Sequence, residues 1–176
     1  SINRKVLNIN QVEALYLAAG DYFWDRQGTN RAYYRVPKAL QRGDTLRSTL
    51  FTFSPWLSGL HAGTQYLSAQ KYRQQSVGGR GYRPGPLDAN GQRVADELRY
   101  YRVWRIDKFE VESFKDAWSR GLVQSGQFYP SMDFREWPGN HPDTGMLAPF
   151  YDHNNDGVYR WEDGDYPLIK GDQAVW

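Results

Sequence analysis

The chain contains no cysteine, which removes disulfide scaffolds, thiolate catalysis and cysteine-based zinc sites from consideration. It also lacks any apolar run approaching the length of a membrane span, so membrane insertion is not expected. Its start, "SINRKVLNIN", lacks the basic-then-apolar profile of a signal peptide. Ser1 therefore fits a position after a cleavage site as well as an arbitrary point in a longer chain. Net charge is small, +2 over 176 residues, but it hides a division. Residues 1–130 carry 19 Lys and Arg against 11 Asp and Glu, and residues 131–176 carry 3 against 9. A basic first part would suggest nucleic acid. The Arg residues, however, are scattered through strand-like aromatic stretches such as "RAYYRVPK" and "RYYRVWRI", where long solvated side chains alternate with rings. No nucleic-acid partner is expected.

Aromatic residues are abundant, with 7 Trp and 13 Tyr. Rings at this density serve a β-rich core through cross-strand pairs, or a platform for sugars or partner proteins. Residues 12–20, "VEALYLAAG", suit a short helix or a strand, and the period does not decide. Residues 45–73 read as a β-hairpin with both faces partly buried, turning at "HAGTQ". "QQSVGGRGYRPGPLDANGQ" is a loop. Its "SVGGRG" fails as a phosphate-binding loop, because no Lys-Ser or Lys-Thr follows and Pro stands where a helix should begin. "LRYYRVWRI" reads as a strand running into a helix over 107–120. Asp107 at the N-cap and Glu110 three residues on form a capping-box pattern. Val111, Phe114 and Trp118 make an apolar stripe that ends at Gly121. Glu110, Glu112 and Asp116 are read as cap and solvated face rather than as catalysts.

From Ser125 onward regular periodicity fades, which is unusual unless something fixes the chain. "DHNNDGVYRWEDGDYP", residues 152–167, holds five carboxylates and two Asn. With Asp152 at position 1, Asn154 falls at 3, Asp156 at 5, Gly157 at 6, Val158 at 7 and Asp163 at 12. That is the spacing of a calcium loop with Asp in the last place. Calcium takes six to eight hard oxygen ligands. Side chains at 1, 3 and 5 face inward, Gly157 permits the sharp turn, Val158 offers its carbonyl and Asp163 closes the shell. Glu162 and Asp165 are spare carboxylates that bind through water or form an outer shell. Pro149, Gly164 and Pro167 oppose flanking helices, so an isolated loop holding a permanent structural Ca2+ is expected, not a swinging sensor. Magnesium, which prefers fewer protein ligands and rigid octahedral geometry, fits less well.

Other candidates are weaker. His61, His141 and His153 make no metal spacing among themselves, and His153 falls at an outward position of the loop. Asp21 and Asp25, which flank "YFW", are candidates for the two carboxylates of a glycosidase, but no second signature accompanies them. Trp24, Trp56, Trp104, Trp137 and Trp161 are the rings from which a carbohydrate-binding module would be built.

The ordered set "LNINQVEA", "DYFWD", "SPWLSGLHAGTQYLSAQKYR", "YRPGPLD", "YRVWRIDKFEVESFK" and "LAPFYDHNNDGVYRWEDGDYPLIKGDQAVW" resembles the N-terminal region of large secreted or cell-surface proteins of Bacteroidota, a family that typically ends in a type IX secretion sorting signal. The resemblance spans nearly the whole chain and is most specific at its end. It implies an extracellular or outer-surface location where calcium is present, and further domains beyond Trp176. The expected fold is α+β leaning to all-β: antiparallel sheet of five to seven strands, one capped helix and a loop-rich, calcium-stapled end. Residues 1–124 and 125–176 are expected to pack as one unit. The expected function is a non-enzymatic domain of an adhesin, filament or scaffold. Its expected partners are other domains of the same chain or surface proteins, with an oligomer compatible. The alternatives are a glycan-binding module, then a glycosidase.

Overall fold

Within residues 12–20, left open between helix and strand by their period, Glu13–Leu17 form a strand. In the computed structural model, which describes residues 2–18, 20, 22–26, 28–38, 47–69, 82 and 84–176, β1 (Arg4–Leu7) pairs antiparallel with β2 (Glu13–Leu17). Arg4 stands opposite Leu17 and Leu7 opposite Ala14. The far edge of β2 pairs with β3 (Tyr34–Arg35), where Arg35 meets Glu13 in a 3.1 Å ion pair. Ala14, Leu15 and Leu17 are buried. Asp21, the chain at 70–73 and the "SVGGRG" stretch lie outside the described residues.

A ring cluster packs beside this sheet. Phe23 holds φ at +68°, a conformation that bulky side chains rarely adopt. Its ring packs against Tyr34 at 4.8 Å, Tyr16 at 5.8 Å and Phe53 at 5.9 Å between centroids. Trp24 and Asp25 follow it into the interior. The Asp25 carboxylate, 2% exposed, lies 2.6 Å from an Arg4 guanidinium nitrogen and accepts from the Thr29 N–H at 2.9 Å and the Thr29 hydroxyl at 3.1 Å. Burial opposes its charged form. The Thr29 N–H, the Arg4 charge and the Thr29 hydroxyl outweigh that and hold the carboxyl below its ordinary range. Gly28 closes the turn with no room for a side chain, since a Cβ there would sit 2.5 Å from an Asp25 oxygen and 2.7 Å from Arg4. Gly28→Ala is expected to cost about 1–3 kcal/mol by forcing this buried pair apart. Urea unfolding followed by tryptophan fluorescence reads it, and an unchanged midpoint would contradict the packing.

The expected hairpin is present but shorter. β4 (Trp56–His61) and β5 (Thr64–Ala69) pair in register from Trp56–Ala69 to His61–Thr64. Ala62 and Gly63 both take positive φ, +48° and +79°, the backbone of a two-residue turn that matches strand twist. The expected burial of both faces is not found. Every residue of both strands is exposed, Trp56 to 71% and Leu60 to 79%. The register explains why. Trp56, Leu60 and Leu67 fall on one face and Leu57 and Tyr66 on the other, so no single surface buries them together.

In the later part of the chain, β6 (Arg105–Asp107) leads into α1 (Lys108–Ser119). The strand expected over 98–106 shrinks to β6, and Glu97–Tyr100 turns as a short 3-10 helix instead. α1 buries Val111, Phe114 and Ala117, leaves Trp118 half-exposed, and ends at Gly121 with φ +72°. The capping box does not form. The Asp107 side chain makes no cap bond and instead accepts from Gln173 Nε2 at 2.6 Å. Glu110 takes the Ser131 N–H at 2.8 Å. A partner distant in sequence has displaced the local one.

α2 (Met132–Arg135) brings Phe134 against Phe114, both fully buried, 4.7 Å between ring centroids. The indole N–H of Trp104 donates to the Glu136 carbonyl and that of Trp137 to the Pro149 carbonyl. Short antiparallel ladders complete this part. β7 (Asn140–His141) pairs β8 (Gly145–Met146), β9 (Phe150–Tyr151) pairs β10 (Tyr166–Pro167), and β11 (Gln173–Val175) pairs β6.

The architecture is thus mostly antiparallel strand with two helices among the described residues. By packing, residues 1–84 with 98–103 form one unit, and 85–97 with 104–176 a second. The division does not fall at 124. α1 groups with the segment after it because its apolar stripe is completed by Phe134 and Tyr166. Among the described residues, no helix is long and apolar enough to cross a membrane.

Candidate functional site

The acidic loop rises from a closed neck. Tyr151 pairs with Tyr166 and Phe150 with Pro167 across β9 and β10. The two tyrosine rings stack at 4.7 Å and 18°. Between them, residues 152–165 wrap on themselves, helped by positive φ at Asn155 (+58°) and Gly157 (+76°).

Asp152 turns both oxygens onto the loop's backbone, accepting from the N–H of Asp156 at 3.2 Å and of Gly157 at 2.7 Å. The Asn154 side-chain oxygen also accepts from the Asp156 N–H at 3.1 Å, and its amide donates to Asp156 Oδ2 at 3.2 Å. Asp156 Oδ1 accepts from the Val158 N–H at 2.8 Å. The same backbone bond leads the effects that hold the Asp156 carboxyl below its ordinary range. Asp163 closes the end of the 3-10 turn Trp161–Asp163. The sequence therefore brings Asp152, Asn154 and Asp156 together around one turn, with Val158 exposed beside them.

Two residues matter more here than their spacing suggested. Asp165, counted as a spare carboxylate, is fully buried and staples the loop. It accepts from the His153 N–H at 2.9 Å and from the Arg160 N–H at 2.8 Å. Arg160, given no role in the sequence reading, places Nη1 2.5 Å from Asp156 Oδ2 and 3.1 Å from Asp163 Oδ2. The hydrogen bonds to Asp163 and then Asp156 strengthen its hold on its proton. Neither has a local signature: Asp165 is one of five carboxylates in the stretch, and Arg160 a lone arginine among them.

Tyr159 anchors the middle of the loop. Its N–H donates to the Asn140 side chain at 2.8 Å and its hydroxyl to the Phe134 carbonyl at 2.6 Å. Burial, with Asp165, Glu110 and Glu162 adding to it, pushes its phenol far above the ordinary range. Glu162 is exposed. Among the described residues, no three acidic, histidine or cysteine side chains converge on one point as they would around an ion. Backbone N–H groups and Arg160 take the carboxylate oxygens instead.

The remaining candidates resolve into structural roles. His141 is buried, with Nδ1 accepting the Asp143 N–H at 3.1 Å and Nε2 2.9 Å from Asp96. This pattern assigns the proton to Nε2. His153 points outward, as its loop position requires, with its ring edge-on to Trp118. His61 is exposed on β4. Glu112 pairs with Lys115 and Asp116 with Arg120 on the solvated face of α1. Asp25 is committed to Arg4 and Thr29. Trp24, Trp104 and Trp137 are core residues. Trp161 stands at 90° to Tyr129 rather than coplanar with it, which counts against a flat sugar platform there. No protein-family model, curated protein or solved structure matches this chain.

Proposed function

We propose that this chain is a non-enzymatic, calcium-stabilised domain of a secreted or cell-surface protein, exported by type IX secretion and serving as an adhesin, filament or scaffold element. The observation that carries this reading is the loop at 152–165, whose turn gathers Asp152, Asn154 and Asp156 at the spacing of a calcium loop. Its donor set is oxygen throughout, which suits a hard divalent cation. Asp152, Asn154, Asp156 and Asp163 would hold Ca2+ through side chains, and Val158 through its carbonyl. The ion would supply positive charge that lets these carboxylates sit together. One movement is required, because Arg160 must release Asp156 and Asp163. The scaffold half of the reading is supported by the β4–β5 ribbon. Trp56, Leu60 and Leu67, exposed apolar side chains on one face of the ribbon, mark a contact surface for partner proteins.

Calorimetric titration with CaCl2 is expected to show one site with a dissociation constant of about 10⁻⁴–10⁻³ M, as in other extracellular modules. At about 100 times that constant, calcium adds about 2.7 kcal/mol of stability, or about 5–10 °C in melting temperature for a chain of this size. Asp152→Ala should abolish both. A wild type with no binding heat and a melting curve indifferent to chelator would contradict the reading.

A further inference from the structure

We infer that the β4–β5 ribbon is a self-association surface, and that a second copy of this chain packs on the face carrying Trp56, Leu60 and Leu67. This names the partner of the contact surface described above and rests on that reading. Among the described residues, β4 and β5 form a sheet of two strands with no third beside them. A two-stranded ribbon alone in water is marginally stable, and every residue of this one is exposed. The register puts Trp56, Leu60 and Leu67 on one face, each between 70% and 79% exposed.

Charge selects the occupant. Residues 56–69 contain no Asp, Glu, Lys, Arg or Pro, in a chain of which 24% is charged. Proteins that stay monomeric blunt exposed strands with Lys or Pro, and unlike partners are steered and sorted by opposite charges. The ribbon carries neither device. A second copy brings the same uncharged face, so no charge is buried unpaired and none repels across a two-fold axis. Ser58 and Gln65 share the face with the apolar three and offer neutral hydrogen bonds across it, while His61 falls on the opposite side. A contact of this size buries at most about 1,200 Å² in total, the low end of specific interfaces, so a weak dimer with a dissociation constant of about 10⁻⁶–10⁻⁵ M is expected.

Sedimentation equilibrium at concentrations on either side of that value should show monomer and dimer. Leu60→Lys puts a charge within the face and is expected to weaken the dimer about tenfold or more. Ser58→Lys, which removes no apolar contact, should do the same, and Leu57→Lys on the opposite face should not. Urea midpoints check that each variant folds. Equal weakening by Leu60→Lys and Leu57→Lys, or no weakening by Leu60→Lys and Ser58→Lys, overturns the assignment of the face. Open-ended association contradicts a two-fold contact. A wild type that is monomeric throughout refutes self-association, and hydrogen exchange then reads the surface itself. The N–H groups to follow are those of Ser58, Leu60, Gln65 and Leu67, which the register turns away from the paired strand. Rapid exchange there leaves the ribbon open to a different protein, and the contact-surface reading stands. Protection there means that the chain covers its own ribbon, and both ideas fall.

Discussion

Asp165→Ala is expected to destabilise the protein by about 3–5 kcal/mol, the largest loss from any single change in the acidic loop. Its carboxylate is fully buried and accepts two backbone N–H bonds, from His153 at 2.9 Å and Arg160 at 2.8 Å. Hydrogen bonds to a charged acceptor contribute about 1.5–3 kcal/mol each, and the abandoned donors carry their own desolvation cost. Asp165→Asn should recover only part of the loss, because an amide offers one acceptor oxygen and turns its NH2 toward a second donor. Asp152→Ala is the control. It also removes two backbone bonds, but at a more exposed site, and about 1 kcal/mol or less is expected. The comparison belongs in chelator, where calcium plays no part. Equal losses for Asp165→Ala and Asp152→Ala in urea unfolding would show that burial of Asp165 is not what holds the loop.

The second large effect is expected at Gly164, where the chain leaves the 3-10 turn for β10. Its φ is +99°, and an added Cβ would lie 2.7 Å from the Trp118 ring. Gly164→Ala combines backbone strain of about 1 kcal/mol with overpacking of about 1–3 kcal/mol, so about 2–4 kcal/mol in all. Trp118 is the neighbour that must yield, so its fluorescence should change in the native state. His153, whose ring meets Trp118 edge-on, should shift with it. A variant with native fluorescence and an unchanged urea midpoint would mean that α1 and the loop are not packed as described.

Some of this was legible in the sequence. The helix at Lys108–Ser119 announced itself because its apolar residues recur at helical spacing and Gly121 ends it. The hairpin turn was readable because Ala-Gly sits between two strand-like runs. The spacing of Asp152, Asn154, Asp156 and Gly157 located the turn that the structure forms. Other features had no local signature. Two-residue ladders such as Phe150–Tyr151 with Tyr166–Pro167 are too short to carry a period. Asp107 looked like a helix cap until Gln173, 66 residues away, took its oxygen. Five carboxylates in one stretch look alike on paper, and only folding decides that Asp165 is the buried one. The strand-like run at 45–73 suggests two partly buried faces, but a strand pattern does not say whether a partner surface exists, and β4 and β5 are exposed throughout. A lone basic side chain among acids, such as Arg160, gives no indication in the sequence of which carboxylates it will bridge.

The most direct test of the ion-caging loop is a crystal structure of the chain grown in millimolar CaCl2. The account predicts an ion bonded at about 2.3–2.6 Å to Asp152, Asn154, Asp156, the Val158 carbonyl and Asp163, with the Arg160 guanidinium turned out to solvent. A guanidinium still seated between Asp156 and Asp163, with no ion beside it, would contradict it.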